Sequence, residues 1–163
     1  LWISGRQLSI SRERIALSGR SSDPLVGQPV PELGLTLLDG SEMRLADFRG
    51  RAVVINYWAT WCEPCKAEMP LLQRSYESNE PDLVVLGVNG GEAPADVERF
   101  VNELGLSFPI VLDPEYRAEA ALGVLAYPTT VFVDSDGIIQ ARHIGQLDRA
   151  FLKTYLELIG IRR

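Results

Sequence analysis

The sequence predicts an α/β sandwich with a mixed central sheet, and three observations carry that expectation. Nearly continuous apolar runs such as AVVINYW (52–58) and LVVLGV (83–88) have the makeup of strands covered on both faces. Between such runs lie stretches whose apolar residues recur at helical spacing, and alternation of this kind builds a sheet with helices packed on it. The last two strand-like runs adjoin across a turn at Asp134 to Gly137, so they must pair antiparallel.

Taken in order, residues 1–26 alternate only weakly and suit an extended arm or marginal hairpin, separate from a domain over 27–163. LGLTLLDGSEMRL reads as two short strands around Asp39-Gly40. After the strand 52–58, Glu63 and Pro64 are first-turn residues of a helix reaching about Ser78, with Pro70 expected to kink it and Met69, Leu72 and Tyr76 facing inward. Pro94 opens a helix in which Val97, Phe100, Val101 and Leu104 share a face and Gly105 is the stop. FPIVLD is a short strand, and DPEYRAEAALG a helix with Asp113 as cap, Pro114 as first residue and Gly123 as terminator. The closing hairpin leads to a helix capped by Asp148, with Phe151, Leu152, Tyr155 and Ile159 as its inner stripe.

At 163 residues and 46% hydrophobic composition, the chain can bury one ordinary core without disulfide staples. The net charge is −6; Arg6, Arg12, Arg14 and Arg20 against Glu13 give residues 1–22 a balance of +3, leaving −9 for the rest. An acidic body of this kind excludes a nucleic-acid partner, whose phosphates call for Lys and Arg. The chain opens LWISG, too short an apolar run to span a bilayer, since a membrane helix takes roughly 20 residues. A signal or membrane anchor ending near residue 1 is an expectation outside the sequence given.

The only two cysteines, Cys62 and Cys65, stand in ATWCEPCKAEMP, directly after a buried strand and at a helix start. Unpaired N–H groups and the helix dipole favour an anion there, so Cys62 is expected to form a thiolate more readily than a free cysteine. The spacing allows the two sulfurs to close a disulfide, so a mixed disulfide on Cys62 can be resolved by Cys65. A structural metal site is poorly supported, because no third cysteine exists and His143 is the sole histidine. Lys66 is read as a solvated lysine and His143 as a hairpin side chain.

In NYWATWCEPCKAEMP (56–70), VGQPVPELGLTLLDG with LADFRG (27–50), and AYPTTVFVDSDG (126–137), the chain resembles the thioredoxin-fold thiol-disulfide oxidoreductases, within them the ResA/TlpA-like branch of cytochrome c biogenesis. The resemblance covers about residues 27–160. It implies a thioredoxin-like three-layer α/β/α sandwich with an N-terminal β-hairpin and an inserted α-β element. It also implies that the Tyr127–Pro128 bond is cis and faces the cysteines as part of the substrate groove. Thioredoxins proper carry an Asp six residues before the first cysteine; here Asn56 stands there and cannot titrate. Glu68, at i+3 from Cys65 and matching the C-E-P-C-x-x-E pattern, is the expected proton-transfer group, its pKa raised by partial burial.

The catalytic candidates are thus Cys62, Cys65 and Glu68, and the substrate-contacting candidates Trp61, Glu63, Pro64, Tyr127 and Pro128. Trp58 is expected in the core, Glu92 in the NGGEAP loop near the site, and Asp134-Ser135-Asp136-Gly137 as a turn rather than a calcium loop. The expected activity is reduction of protein disulfides outside the cytoplasm by a monomer that needs no cofactor. The resemblance implies a disulfide-containing partner such as apocytochrome c, and a membrane thiol electron donor of the CcdA/DsbD type. A general periplasmic reductase, a thiol peroxidase and a non-catalytic client-binding module are the competing readings.

Overall fold

The computed structural model describes residues 22–162. Among the described residues, seven strands form one mixed sheet: β1 (Gly34–Leu37), β2 (Glu42–Arg44), β3 (Ala52–Trp58), β4 (Leu83–Gly90), β5 (Ile110–Asp113), β6 (Thr129–Val133) and β7 (Ile139–Ile144). Four helices accompany them: α1 (Glu63–Asn79), α2 (Pro94–Leu104), α3 (Arg117–Ala121) and α4 (Arg149–Leu158). The spatial order is β2-β1-β5-β4-β3-β6-β7. β3, β4 and β5 are mutually parallel, while β6 runs antiparallel to β3 and the terminal hairpins complete both sides.

β3 lies near the centre because every one of its residues is buried, as its apolar run requires. Strand alternation sends Ala52, Val54 and Trp58 to one face, into a core shared with Met69 and Leu72 of α1, Val97 and Phe100 of α2, and Leu152 and Leu156 of α4. Val53, Ile55 and Tyr57 point the other way, to Ala118 of α3, Leu122, and Leu45 and Phe48 of a short 3-10 helix. The result is the three-layer α/β/α sandwich expected from the sequence, with α2 and β5 as the inserted unit.

The edge strand β7 is covered by the lead-in segment: Gly27 N–H donates to Ile139 O (2.8 Å), Ile139 N–H to Gln28 O (2.9 Å) and Val30 N–H to Gly137 O (2.9 Å). Just before it, Leu25 and Val26 pack on the second core and Asp23 pairs with Arg142 at 2.6 Å. The arm expected over residues 1–26 otherwise lies, up to residue 21, outside the described residues. No helix among the described residues is long and apolar enough to cross a membrane.

Two local expectations are corrected. Asp113 and Pro114 do not open a helix: Asp113 ends β5, and α3 begins only at Arg117, after Tyr116 takes a left-handed conformation (φ 56°). The Asp113 carboxylate still serves the helix, accepting from Ala118 N–H (3.2 Å) and Glu119 N–H (3.0 Å), so the cap comes from the strand end, four residues upstream of the helix start. Phe151 is half-exposed instead of facing inward, stacked on Tyr155 and tilted against His143, while Leu156 fills the inner stripe. Tyr76 does face inward, half-buried against the first core and edge-on to Phe108. α1 runs through Pro70, whose missing N–H leaves the Lys66 carbonyl without its helical donor.

Candidate active site

The C-terminal ends of β3, β4 and β5 and the start of β6 meet at one edge of the sheet, because β6 enters antiparallel with Thr129 opposite Tyr57. This is the edge where open α/β sheets bind their substrates. β3 ends at Trp58, and a three-residue turn delivers Cys62 to the N-cap of α1 in extended conformation (φ −90°, ψ 104°). Its Sγ accepts the N–H of Cys65 (3.3 Å), one of the first-turn donors that no helical carbonyl satisfies. Pro64 falls in that first turn, where its missing N–H is harmless.

Cys62 and Cys65 form a disulfide, with Cα atoms 5.2 Å apart. Both are buried, at 4% and 0% exposure, whereas Trp61 immediately before them is 68% exposed. Glu63 and Pro64 lie between them at the surface. The Trp61 ring stacks on Tyr127 (centroids 5.5 Å, 27°), so the residue before Pro128 reaches the cysteine turn directly. The Tyr127–Pro128 bond is cis, as expected; Glu80–Pro81 is also cis and carried no signal in the sequence reading.

Glu92 acts on the same turn. Its carboxylate accepts the Thr60 N–H (2.8 Å) and hydroxyl (2.5 Å) and the Asn89 side-chain amide (2.6 Å), tying the segment before Cys62 to the end of β4. Thr60 was missed by sequence reasoning, and only its position two residues before Cys62 could have pointed to it. Beneath the aromatic pair, Tyr57 donates to Asp113 (2.8 Å) and Tyr127 to Glu119. Burial, then those carboxylates, hold both phenols well above their ordinary range, so they serve as neutral donors.

Glu68 is 1% exposed, far from the solvated helix glutamate that composition alone would suggest. Its Oε1 accepts the Asn56 amide (2.7 Å) and its Oε2 the Leu147 backbone N–H (2.6 Å). Burial pushes its carboxyl up to about 7, against the pull of those two hydrogen bonds, which favour the anion. It lies one helical turn beyond Cys65, on the same side of α1. Asn56 is not fully satisfied: its Nδ2 bonds Glu68 and Thr130, but its Oδ1 has no partner.

The remaining candidates fall where the sequence reading put them. Trp58 is wholly buried and stacks on Phe100. Asp134 accepts from the N–H groups of Asp136 and Ile138 (both 3.0 Å), closing the hairpin turn. His143 contacts Tyr155 and the Gln146 carbonyl, and Lys66 is exposed.

A cysteine pair at a helix start, set after the central strand and opposite a cis-proline loop, defines a thioredoxin-fold dithiol–disulfide protein. The chain belongs to the AhpC/TSA family, whose model matches residues 26–142. Over 135 residues it is 39% identical to the thiol-disulfide oxidoreductase ResA of Geobacillus thermodenitrificans, covering 82% of this chain and 78% of that one. Among solved structures it is similar to a DsbF homologue from Corynebacterium diphtheriae (28% identity, TM-score 0.74, 79% of this chain and 85% of that one). It is similar too to a secreted thiol-disulfide isomerase from Corynebacterium glutamicum (28% identity, TM-score 0.71, 80% and 82%). It is a thiol-disulfide oxidoreductase, and its C-x-x-C pair is Cys62 and Cys65.

Proposed function

We propose that the protein works outside the cytoplasm as a reductant of protein disulfides in cytochrome c maturation, with the C-x-x-C disulfide of an apocytochrome c as substrate. The observation that carries this reading is Glu68, a buried carboxyl poised near neutrality one turn from Cys65. The ResA relative and the secreted neighbour support the branch and the location. In the reduced protein the Cys62 thiolate attacks one sulfur of the substrate disulfide; the Cys62–substrate bond forms and the second substrate sulfur leaves with the electron pair. Cys65 then loses its proton to the Glu68 carboxylate and attacks the Cys62 sulfur. The Cys62–Cys65 bond forms, the substrate sulfur departs as thiolate, and two electrons have passed to the substrate.

Trp61 and Tyr127 offer the incoming peptide an aromatic wall, with Glu63, Pro64 and Pro128 at its margins. A membrane thiol donor of the CcdA/DsbD type returns the Cys62–Cys65 disulfide to the dithiol. The test is a Cys65→Ser protein expressed outside the cytoplasm, whose unresolved mixed disulfides are identified by mass spectrometry. Apocytochromes c are expected to dominate the trapped set. A broad set of unrelated proteins would replace the cytochrome role with general disulfide reduction.

A further inference from the structure

Asn56 is the single polar residue of β3, a strand otherwise built of Ala, Val, Ile, Tyr and Trp, and it is fully buried. Burying an amide is unfavourable unless its groups are bonded, and here Oδ1 is left without a partner, so packing alone does not explain the residue. What the amide does is divide its two N–H groups between Glu68 Oε1 (2.7 Å) and the Thr130 hydroxyl (3.0 Å), Thr130 standing directly opposite on β6. The other carboxylate oxygen is held by Leu147 N–H, in a segment whose Gly145 N–H donates to the Pro128 carbonyl (2.8 Å). Glu68 is thus clamped from two sides, by a side chain of the central strand and by backbone tied to the cis-proline loop.

We infer that Asn56 is a positioning residue of the dithiol exchange: its amide, braced by Thr130, keeps Glu68 able to take up the Cys65 proton and to give it back. The inference rests on the proton role proposed for Glu68. Two N–H donors favour the carboxylate that must receive the proton. Once Glu68 is protonated, its new O–H needs an acceptor. The Leu147 N–H is fixed as a donor, so the proton resides on Oε1, facing Asn56. A half-turn of the amide then presents Oδ1 to Glu68, and the Thr130 hydroxyl, donor and acceptor alike, adjusts to it. One uncharged side chain therefore serves both protonation states, which neither a leucine nor an aspartate at 56 does.

Among the titratable groups on the elements around Glu68 are Cys65, with exposed Glu63 and Lys66, on its own helix, Arg142 and His143 on β7, and Asp148 and Tyr155 at and within α4; its carboxyl hydrogen-bonds to none of the titratable side chains. The test uses the oxidised protein, in which the cysteines do not titrate, and follows the Glu68 carboxyl carbon and the Asn56 side-chain amide by NMR from pH 4 to 9. In the unaltered protein both resonances should move with one common midpoint. In Asn56→Leu the acidity of Glu68 should fall about tenfold or more, as for loss of a hydrogen bond to a charged group. Thr130→Val, a milder change should the first variant not fold, should shift it in the same direction by less. An Asn56 amide indifferent to the Glu68 titration, or an unmoved midpoint in folded Asn56→Leu, would overturn the inference. The pH–rate profile for reduction of a model protein disulfide should move with the Glu68 midpoint. A displaced midpoint with an unmoved rate profile would remove Glu68 from the proton step, and with it Asn56 from the exchange, while leaving the clamp.

Discussion

The Glu68 carboxylate accepts a 2.6 Å hydrogen bond from the backbone N–H of Leu147, 79 residues further along the chain. That bond joins the active-site helix to the segment between β7 and α4, which in turn is tied to the Pro128 carbonyl. Glu68 and the cis-proline loop are therefore both hydrogen-bonded to the same short piece of backbone.

Glu68 should make the oxidised protein's stability fall with rising pH. Its carboxyl titrates near 4.5 when unfolded and about 7 when folded, so between these values the native state holds a proton that the unfolded state has lost. The stabilisation is complete below the lower value and gone above the higher, about 3 kcal/mol in all. Glu68→Gln should flatten this slope in urea unfolding measured from pH 4 to 8, and should slow disulfide reduction at neutral pH by about 10²-fold. A slope retained in the variant would assign it to other groups.

Trp61 is exposed and touches the fold mainly through Tyr127, so its loss should act on substrate more than on stability. Trp61→Ala should leave the urea midpoint nearly unchanged while lowering kcat/KM for a protein disulfide by about tenfold, the range of an aromatic interface anchor. Reaction with a small disulfide should be much less affected, and equal loss for both would place Trp61 in the chemistry instead.

Glu92 holds the turn before Cys62 through three hydrogen bonds, two of them to Thr60. Glu92→Gln keeps the shape but cannot accept from every donor, so it should slow reduction of the Cys62–Cys65 disulfide by dithiothreitol or shift its potential while costing about 1–3 kcal/mol of stability. Redox titration against glutathione checks the first and chemical denaturation the second.

Asp23 and Arg142 form a largely buried ion pair, and Arg142 also donates to the carbonyls of Leu122 (3.2 Å) and Gly123 (2.5 Å). Asp23→Ala would leave that guanidinium without its buried carboxylate, and a loss of about 3 kcal/mol is expected in equilibrium unfolding. Dithiol exchange at Cys62 and Cys65 should be unchanged.

Much of this was legible in the chain because its signals are local. The apolar run of β3, the Pro94 start and Gly105 stop of α2, and the Asp148 cap each announce an element through the residues that form it. The C-x-x-C at a helix start likewise carries its chemistry in its own spacing, and Glu68 sits at i+3 from Cys65 on any helix. Asp113 misled for the same reason: Asp-Pro looks like a helix start locally, yet the strand pairing of β5 to β4 extends through it and leaves its side chain to cap α3 from a distance.

What the sequence by itself determined is the set of elements, the sandwich they build and the reactive pair, since each depends on neighbours in the chain. Only the tertiary structure decided that Asn56 and Glu68 are partners instead of alternatives, and that Leu147 completes the carboxylate's bonds. Those contacts join β3, β6, α1 and the approach to α4, so no spacing encodes them. Their consequence, a carboxyl held near neutrality, comes from a balance of burial against two hydrogen bonds that exists only once the chain has closed around it.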